Sequence, residues 1–198
     1  AGEMELYDAE IGWRGSDAWV FKLNIDGTVA WMKTYGGSKP NSDKAKSVRQ
    51  TSDGGYIVAG MTTAFGAGGY DIWILKLDNN GNAEWQKVYG GTNNQWADSI
   101  EQTIDGGYIV GGTMSLDAML LKLDSNGNVG HGYPGTWWKT YGGSSIDYIY
   151  SVQQTVDYDY IAAGTTQSFG AGRFDAFVLH LNNTRGGIDF ADSCGGMP

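Results

Sequence analysis

Four short runs of the chain read almost without a polar break: Asp17 to Leu23 (DAWVFKL), Asp71 to Leu77 (DIWILKL), Asp117 to Leu123 (DAMLLKL) and Asp175 to Leu181 (DAFVLHL). They are rich in β-branched and aromatic side chains and apolar on both faces apart from one Lys or His. That is the pattern of a strand buried on both sides, as between two packed sheets. Three of them run into Asn24-Ile25-Asp26-Gly27, Asp78-Asn79-Asn80-Gly81 and Asp124-Ser125-Asn126-Gly127. Asp and Asn close such turns through their own side chains and Gly supplies positive φ, so each run opens a hairpin.

The strand after each hairpin carries Trp31, Lys33 and Tyr35, or Trp85, Lys87 and Tyr89, or Trp137, Lys139 and Tyr141. Alternation puts each trio on one face. Gly-Gly then breaks the chain at 36–37, 90–91 and 142–143. Polar strands follow, ending Ser47 to Thr51, Ser99 to Thr103 and Ser151 to Thr155. Turns at 53–54, 105–106 and 157–158 lead into Tyr56 to Gly60, Tyr108 to Gly112 and Tyr160 to Gly164. Helical periodicity is absent throughout. The chain therefore repeats, about every 52 residues, a unit of four short antiparallel strands, a to d in chain order. Four-stranded sheets repeated in this way predict an all-β fold, a β-propeller.

Complete copies span 45–91, 97–143 and 147–196, the last with a degenerate final strand, and 1–37 holds a partial copy, b-c-d. Ile11 to Asp17 stands where Phe65 to Asp71 stands, so residues 3–8 fall at strand b. At the other end, Phe190, Asp192 and Cys194-Gly195-Gly196 match Trp31, Lys33 and Tyr35-Gly36-Gly37 if one residue is inserted. Four periods less one strand account for 198 residues. The expectation is a single propeller domain over 1–198 with four blades, one incomplete. The rival is an open arc whose vacant strand position another subunit fills, since an unpaired edge is an association hazard or an assembly device.

The copies differ in their loops. Phe65-Gly66-Ala67-Gly68 and Phe169-Gly170-Ala171-Gly172 have no counterpart in the middle copy, which instead carries Gly130 to Gly135 between strands c and d. Loops on a rigid scaffold are where function usually sits.

Bulk properties narrow the partners. A hydrophobic fraction of 41% suffices for a core, and 32 Gly with only 3 Pro indicate many tight turns. No segment reaches the ~18 apolar residues of a membrane span, so membrane insertion is not expected. A net charge of −9 with no basic stripe argues against nucleic acid. The lone cysteine, Cys194, excludes an internal disulfide framework and multi-cysteine metal sites. It reads as an idle residue, with a free thiol or intermolecular bridge left open.

Candidate chemistry is sparse. Asp78-x-Asn80 and Asp124-x-Asn126 imitate the first half of a calcium loop, but the downstream bidentate Glu is missing and Gly falls too early. Hairpin chemistry accounts for these residues, and no cofactor is expected. The recurring Trp, Lys and Tyr of strand d suit packing between blades, with the Lys snorkelling outward. Better binding candidates are the aromatics that do not recur, Trp13, Trp96, Tyr133, Trp138, Tyr148 and Tyr150, together with His131. On one rim they would make a glycan or protein contact surface. Among enzyme signals, neither His131 nor His180 has an ordered serine partner, and metal-hydrolase spacing is absent. Carboxylate pairs for glycoside hydrolysis remain the one hydrolase reading. Asp17, Asp71, Asp117 and Asp175 recur as turn closers, whereas Asp43, Asp98 and Asp147 are expected in the d-to-a loops, at a channel mouth. Asn182-Asn183-Thr184 is a glycosylation sequon.

The string YGG…QTSDGGYIVAGMTTAFGAGGYDIWILKLDNNGNAEWQKVYGG resembles repeats of secreted and surface β-propeller proteins of archaea and bacteria, loosely related to Kelch-type and quinoprotein-type blades. The resemblance covers about residues 9–182, and both ends depart from it. It implies an extracellular or cell-surface propeller, often part of a larger surface protein, with no common activity. The expectation is thus a non-catalytic structural or interaction module, possible partners being further protein subunits, in a filament or lattice, or surface polysaccharide.

Overall fold

The computed structural model describes residues 2–8, 12–38, 41–182 and 190–191. Among them the chain is all-β, with fifteen strands and no helix, and hence no helix long and apolar enough to cross a membrane. The strands form four antiparallel sheets in chain order. Sheet 1 holds β1 (Gly2–Asp8), β2 (Gly12–Leu23) and β3 (Val29–Tyr35). Sheet 2 holds β4 (Asp43–Gln50), β5 (Tyr56–Thr62), β6 (Asp71–Leu77) and β7 (Ala83–Tyr89). Sheet 3 holds β8 (Gln95–Gln102), β9 (Tyr108–Met114), β10 (Asp117–Leu123) and β11 (Trp137–Tyr141). Sheet 4 holds β12 (Asp147–Gln154), β13 (Tyr160–Thr166), β14 (Asp175–Leu181) and β15 (Phe190–Ala191).

Each strand pairs with its chain neighbour, as hairpin turns require. Residues 3–8 do form the second strand of the pattern, β1, paired along β2. Sheet 1 thus has three strands, and no described strand stands on the outer side of β1. The C-terminal alignment shifts by one residue. Trp31, Trp85 and Trp137 stand opposite Lys22, Lys76 and Lys122, but Ala191, not Phe190, stands opposite His180. Asp192 and Cys194 to Gly196 lie outside the described residues.

The chain divides into two compact units, 1–97 and 98–198. In the first, Ala18 and Val20 of β2 pack with Trp73, Leu75 and Leu77 of β6. In the second, Ala118 and Leu120 of β10 pack with Phe177, Leu179 and Leu181 of β14. Both cores obey one rule: the face carrying the second and fourth residues of an apolar run meets the face carrying the third, fifth and seventh residues of the next. Burial on both faces, expected of all four runs, holds for β6 and nearly so for β10. It fails for β2 and β14, where Phe21, Leu23 and Val178 are exposed. A run without polar residues records what a strand tolerates; whether a neighbour covers both faces depends on where the sheet sits.

Candidate functional site

The recurring side chains of sheet 1 grip the hairpin of sheet 2. Trp31 Nε1 donates to Asn79 O (3.2 Å), Lys33 Nζ to Asn82 Oδ1 (2.6 Å) and the Tyr35 hydroxyl to Gly81 O (2.6 Å). The trio therefore packs one sheet on the next, as its recurrence predicted. The ammonium of Lys33 reaches the exposed turn of the neighbouring sheet, where Asn82 supplies it with an acceptor. Burial, with the charge of Asp78, pushes the Tyr35 phenol up to about 12. Within the turn, Asp78 Oδ1 accepts from the Asn80 and Asn82 N–H groups (2.8 and 2.7 Å) and Oδ2 from Asn82 Nδ2 (2.7 Å). The Asn82 bonds hold the Asp78 carboxyl below its usual range. Asp124 repeats the pattern with Asn126 and Asn128. These calcium candidates thus spend both carboxylate oxygens on closing their own turns.

The Asp-Gly-Gly turn is one half of an ion pair whose other half is the single lysine of the apolar run. Asp53 Oδ2 lies 2.8 Å from Lys76 Nζ, which also meets Glu84 at 2.9 Å; Asp105 meets Lys122 at 2.8 Å. Both lysines are buried, at 4% and 2% exposure. Burial pulls the Lys76 ammonium down, but its carboxylate partners outweigh that and raise it. Lys76, the Thr51 hydroxyl and the Gly55 N–H hold Asp53 well below the carboxylate range. Burial pushes Asp105 up, but the bonds from Lys122, Thr103 and Gly107 prevail and lower it. Both glycines are needed. Gly54 has φ +83°, and a Cβ on Gly55 would come within 2.7 Å of Lys76 Nζ. In the last copy Tyr158 takes the first position at φ +71° and Asp159 the second, 3.2 Å from His180, which replaces the lysine.

A second carboxylate constellation was not foreseen. The first glycine of each Gly-Gly has no room for a side chain. A Cβ on Gly36 would lie 2.5 Å from Asp17 Oδ1 and 2.6 Å from Asp43 Oδ2, and one on Gly142 2.6 Å from both Asp117 Oδ1 and Asp147 Oδ2. Gly90 stands similarly between Asp71 and Gln95. The signal was present as an acidic residue opening each apolar run and an Asp or Gln five to seven positions after the first Gly. Asp43 and Asp147 open strands β4 and β12 and Asp98 lies inside β8, which corrects their placement in loops at a channel mouth. Asp43 accepts from the Thr62 hydroxyl and the Gly37 N–H (2.9 Å); Asp147 accepts from the Thr166 and Ser168 hydroxyls and the Gly143 N–H. Where Gln95 replaces the Asp, Met114 replaces the Thr. Asp71 and Asp175 close their FGAG loops by accepting from Ala67 and Gly172 N–H groups (both 3.0 Å), as expected of turn closers. Asp43 and Asp147 are fully buried and bonded through both oxygens, whereas glycoside hydrolysis needs carboxyls that reach a substrate.

Of the non-recurring aromatics, Tyr148 and Tyr150 of β12 come together, stacked at 5.9 Å and 18°, with Tyr150 53% exposed. Trp96 of β8 lies under the Lys46 ammonium at 5.5 Å. His131 and Tyr133 are exposed in the loop before β11, and Trp138 is half-buried within it. That strand is at the edge of sheet 3 remote from β8, while β12 packs near β9. Trp13 falls in β2, its side chain outside the described residues; of the sequon, Asn182 is half-buried and the rest lies outside them.

The first unit also has a cleft that sequence reasoning missed. It is lined by Val20, Phe21, Lys22, Trp31, Val48, Arg49, Gln50 and Tyr56. Trp31 and Tyr56 meet edge to face at 5.7 Å, and Lys22 Nζ stands 5.7 Å over the Tyr56 ring. In comparison with known proteins, no family model and no curated sequence matches the chain.

Proposed function

We propose that the chain is a non-catalytic propeller-type module that serves as a structural or interaction unit at a cell surface and associates through its three-stranded sheet. The observation that carries this reading is a contrast. The recurring polar residues are consumed in holding turns and neighbouring sheets, while sheet 1 has only three described strands and a cationic, aromatic cleft lies between its β2 and β3 and the first two strands of sheet 2. The propeller itself is supported by four consecutive antiparallel sheets and by the single face-packing rule seen in both cores. The extracellular setting rests on the resemblance of the repeats and on the acidic charge. Size-exclusion chromatography with light scattering tests association: mass should rise with concentration, and a strict monomer at high concentration would sink the assembly form.

The exposed Tyr148–Tyr150 stack favours a second reading, a carbohydrate-binding propeller, since stacked phenol rings offer a platform to the apolar face of a sugar. A glycan array without hits, with no fluorescence response to polysaccharide, would remove it.

A further inference from the structure

Only two asparagines of the chain precede a glycine, Asn80 and Asn126, and each sits in the hairpin turn after an apolar run, in a triplet Asn-Gly-Asn. Both are exposed, while Gly81 and Gly127 behind them are buried. Among the described residues no hydrogen bond engages either side-chain amide. An Asn-Gly pair carries its own nucleophile, because the glycine nitrogen, uncrowded by a Cβ, can close a five-membered ring on the asparagine Cγ. At rest that nitrogen is engaged: the Gly81 N–H donates to Asp78 O and the Gly127 N–H to Asp124 O, both at 3.1 Å. Ring closure therefore waits for the turn to open. In sheet 2 opening is opposed from outside the turn as well. Trp31 Nε1 holds Asn79 O, the Tyr35 hydroxyl holds Gly81 O and Lys33 holds Asn82 Oδ1. The Trp31 ring also covers Gly81, 3.0 Å from where a Cβ would stand.

We propose that Asn80 is a self-modification site, with water as its only co-reactant, and that the clasp from sheet 1 sets its rate. When the turn opens, the Gly81 nitrogen attacks Asn80 Cγ and the C–N bond of the side-chain amide breaks. Ammonia leaves with the proton that Gly81 gives up. Water then opens the cyclic imide at either carbonyl. One opening gives aspartate; the other routes the main chain through Cβ and gives isoaspartate. Nothing is oxidised or reduced, and the sum is amide plus water to carboxylate plus ammonium. Isoaspartate adds one methylene to the backbone between Asn79 O and Gly81 O, the two carbonyls that Trp31 and Tyr35 hold. The lengthened turn cannot keep both bonds at hydrogen-bonding distance, so sheet 1 loses part of its grip on sheet 2. The change is one-way, a covalent loosening of that contact. It goes beyond the interaction-module reading and does not depend on it.

The test ages the intact chain in mildly alkaline buffer, folded and in urea, and follows the amide-to-acid mass change at Asn80 and Asn126 by peptide mapping. In the folded chain Tyr35→Phe should speed the change at Asn80 about fivefold, the effect of removing one hydrogen bond from the opening equilibrium. Asn126 should keep its rate. Both aspartate and isoaspartate should appear at Asn80, since direct hydrolysis of the amide gives aspartate alone. If the variant does not fold, the unaltered chain still decides, because Asn80 should react several-fold slower folded than in urea. The site is overturned by no acid at Asn80 of the folded chain, by equal rates folded and in urea, by indifference to Tyr35→Phe, or by aspartate without isoaspartate. Equal acceleration at Asn126 would overturn the clasp, because it marks a general loosening.

Discussion

Lys22 and Lys122 occupy the same position of the same repeat, yet one ends beside an aromatic ring in a cleft and the other in a closed ion pair. Nothing in their own strands separates them, for DAWVFKL and DAMLLKL are close variants. What differs is a neighbour, the strand and Asp-Gly-Gly turn of sheet 3 that has no counterpart among the described residues of sheet 1. The lesson extends to Trp73, buried at 2% exposure, and its half-buried equivalent Trp19, which lies on the more exposed face of sheet 1 with its ring tilted 35° to that of Phe21 at 4.7 Å. In a repeat protein the sequence of a copy sets its strands, and the copy's position sets which of their faces are covered.

The sharpest way to break this comparison is to truncate both tryptophans. Trp73→Ala should cost about 3–5 kcal/mol by urea unfolding, the range for emptying a large core site, against about 1 kcal/mol for Trp19→Ala. Equal costs would mean that the two faces are equally covered. Next in size is Asp105→Ala. It leaves the buried Lys122 ammonium without its carboxylate and should cost about 2–3 kcal/mol, below the usual range for a fully buried pair because Asp105 itself is half exposed. Adding Lys122→Met should restore part of the loss.

pH separates the same elements. Burial raises Tyr35, Tyr141 and Tyr160 to about 12. The folded chain therefore holds more protons than the unfolded one between about pH 10 and 12, and stability should fall as pH rises through that window. A chain as stable at pH 11 as at pH 9 contradicts those burials. On the acid side, Asp53 and Asp105 are lowered, so their contribution is present above the unfolded value of about 4 and is lost as pH falls below it. The smallest effect concerns the altered fourth copy. Tyr158→Gly should relieve the positive φ and raise stability by about 0.5–1 kcal/mol, read as a shift of the urea midpoint.

The strand pattern was legible because turn chemistry and apolar runs are local: β6, β10 and β14 begin and end where the runs do. The partnership of Asp53 with Lys76 was not, since the two are 23 positions apart and each alone reads as a turn former or a solvated charge. Likewise, Gly36 reads as a chain break until the carboxylates of Asp17 and Asp43 are seen on either side of it. The cleft was least legible of all. Its lining comes from four strands of two sheets, and no local residue pattern displays which of their side chains will meet.

The most direct measurement is a paired thermal melt of Lys22→Met and Lys122→Met. The account predicts that Lys122→Met, which breaks the pair with Asp105, lowers the midpoint by several degrees, as ~1 kcal/mol or more would in a domain of this size. Lys22→Met, which removes only the contact with the Tyr56 ring among the described residues, should leave the midpoint near that of the unaltered chain. If both variants melt alike, the two lysines do the same work and the account is wrong.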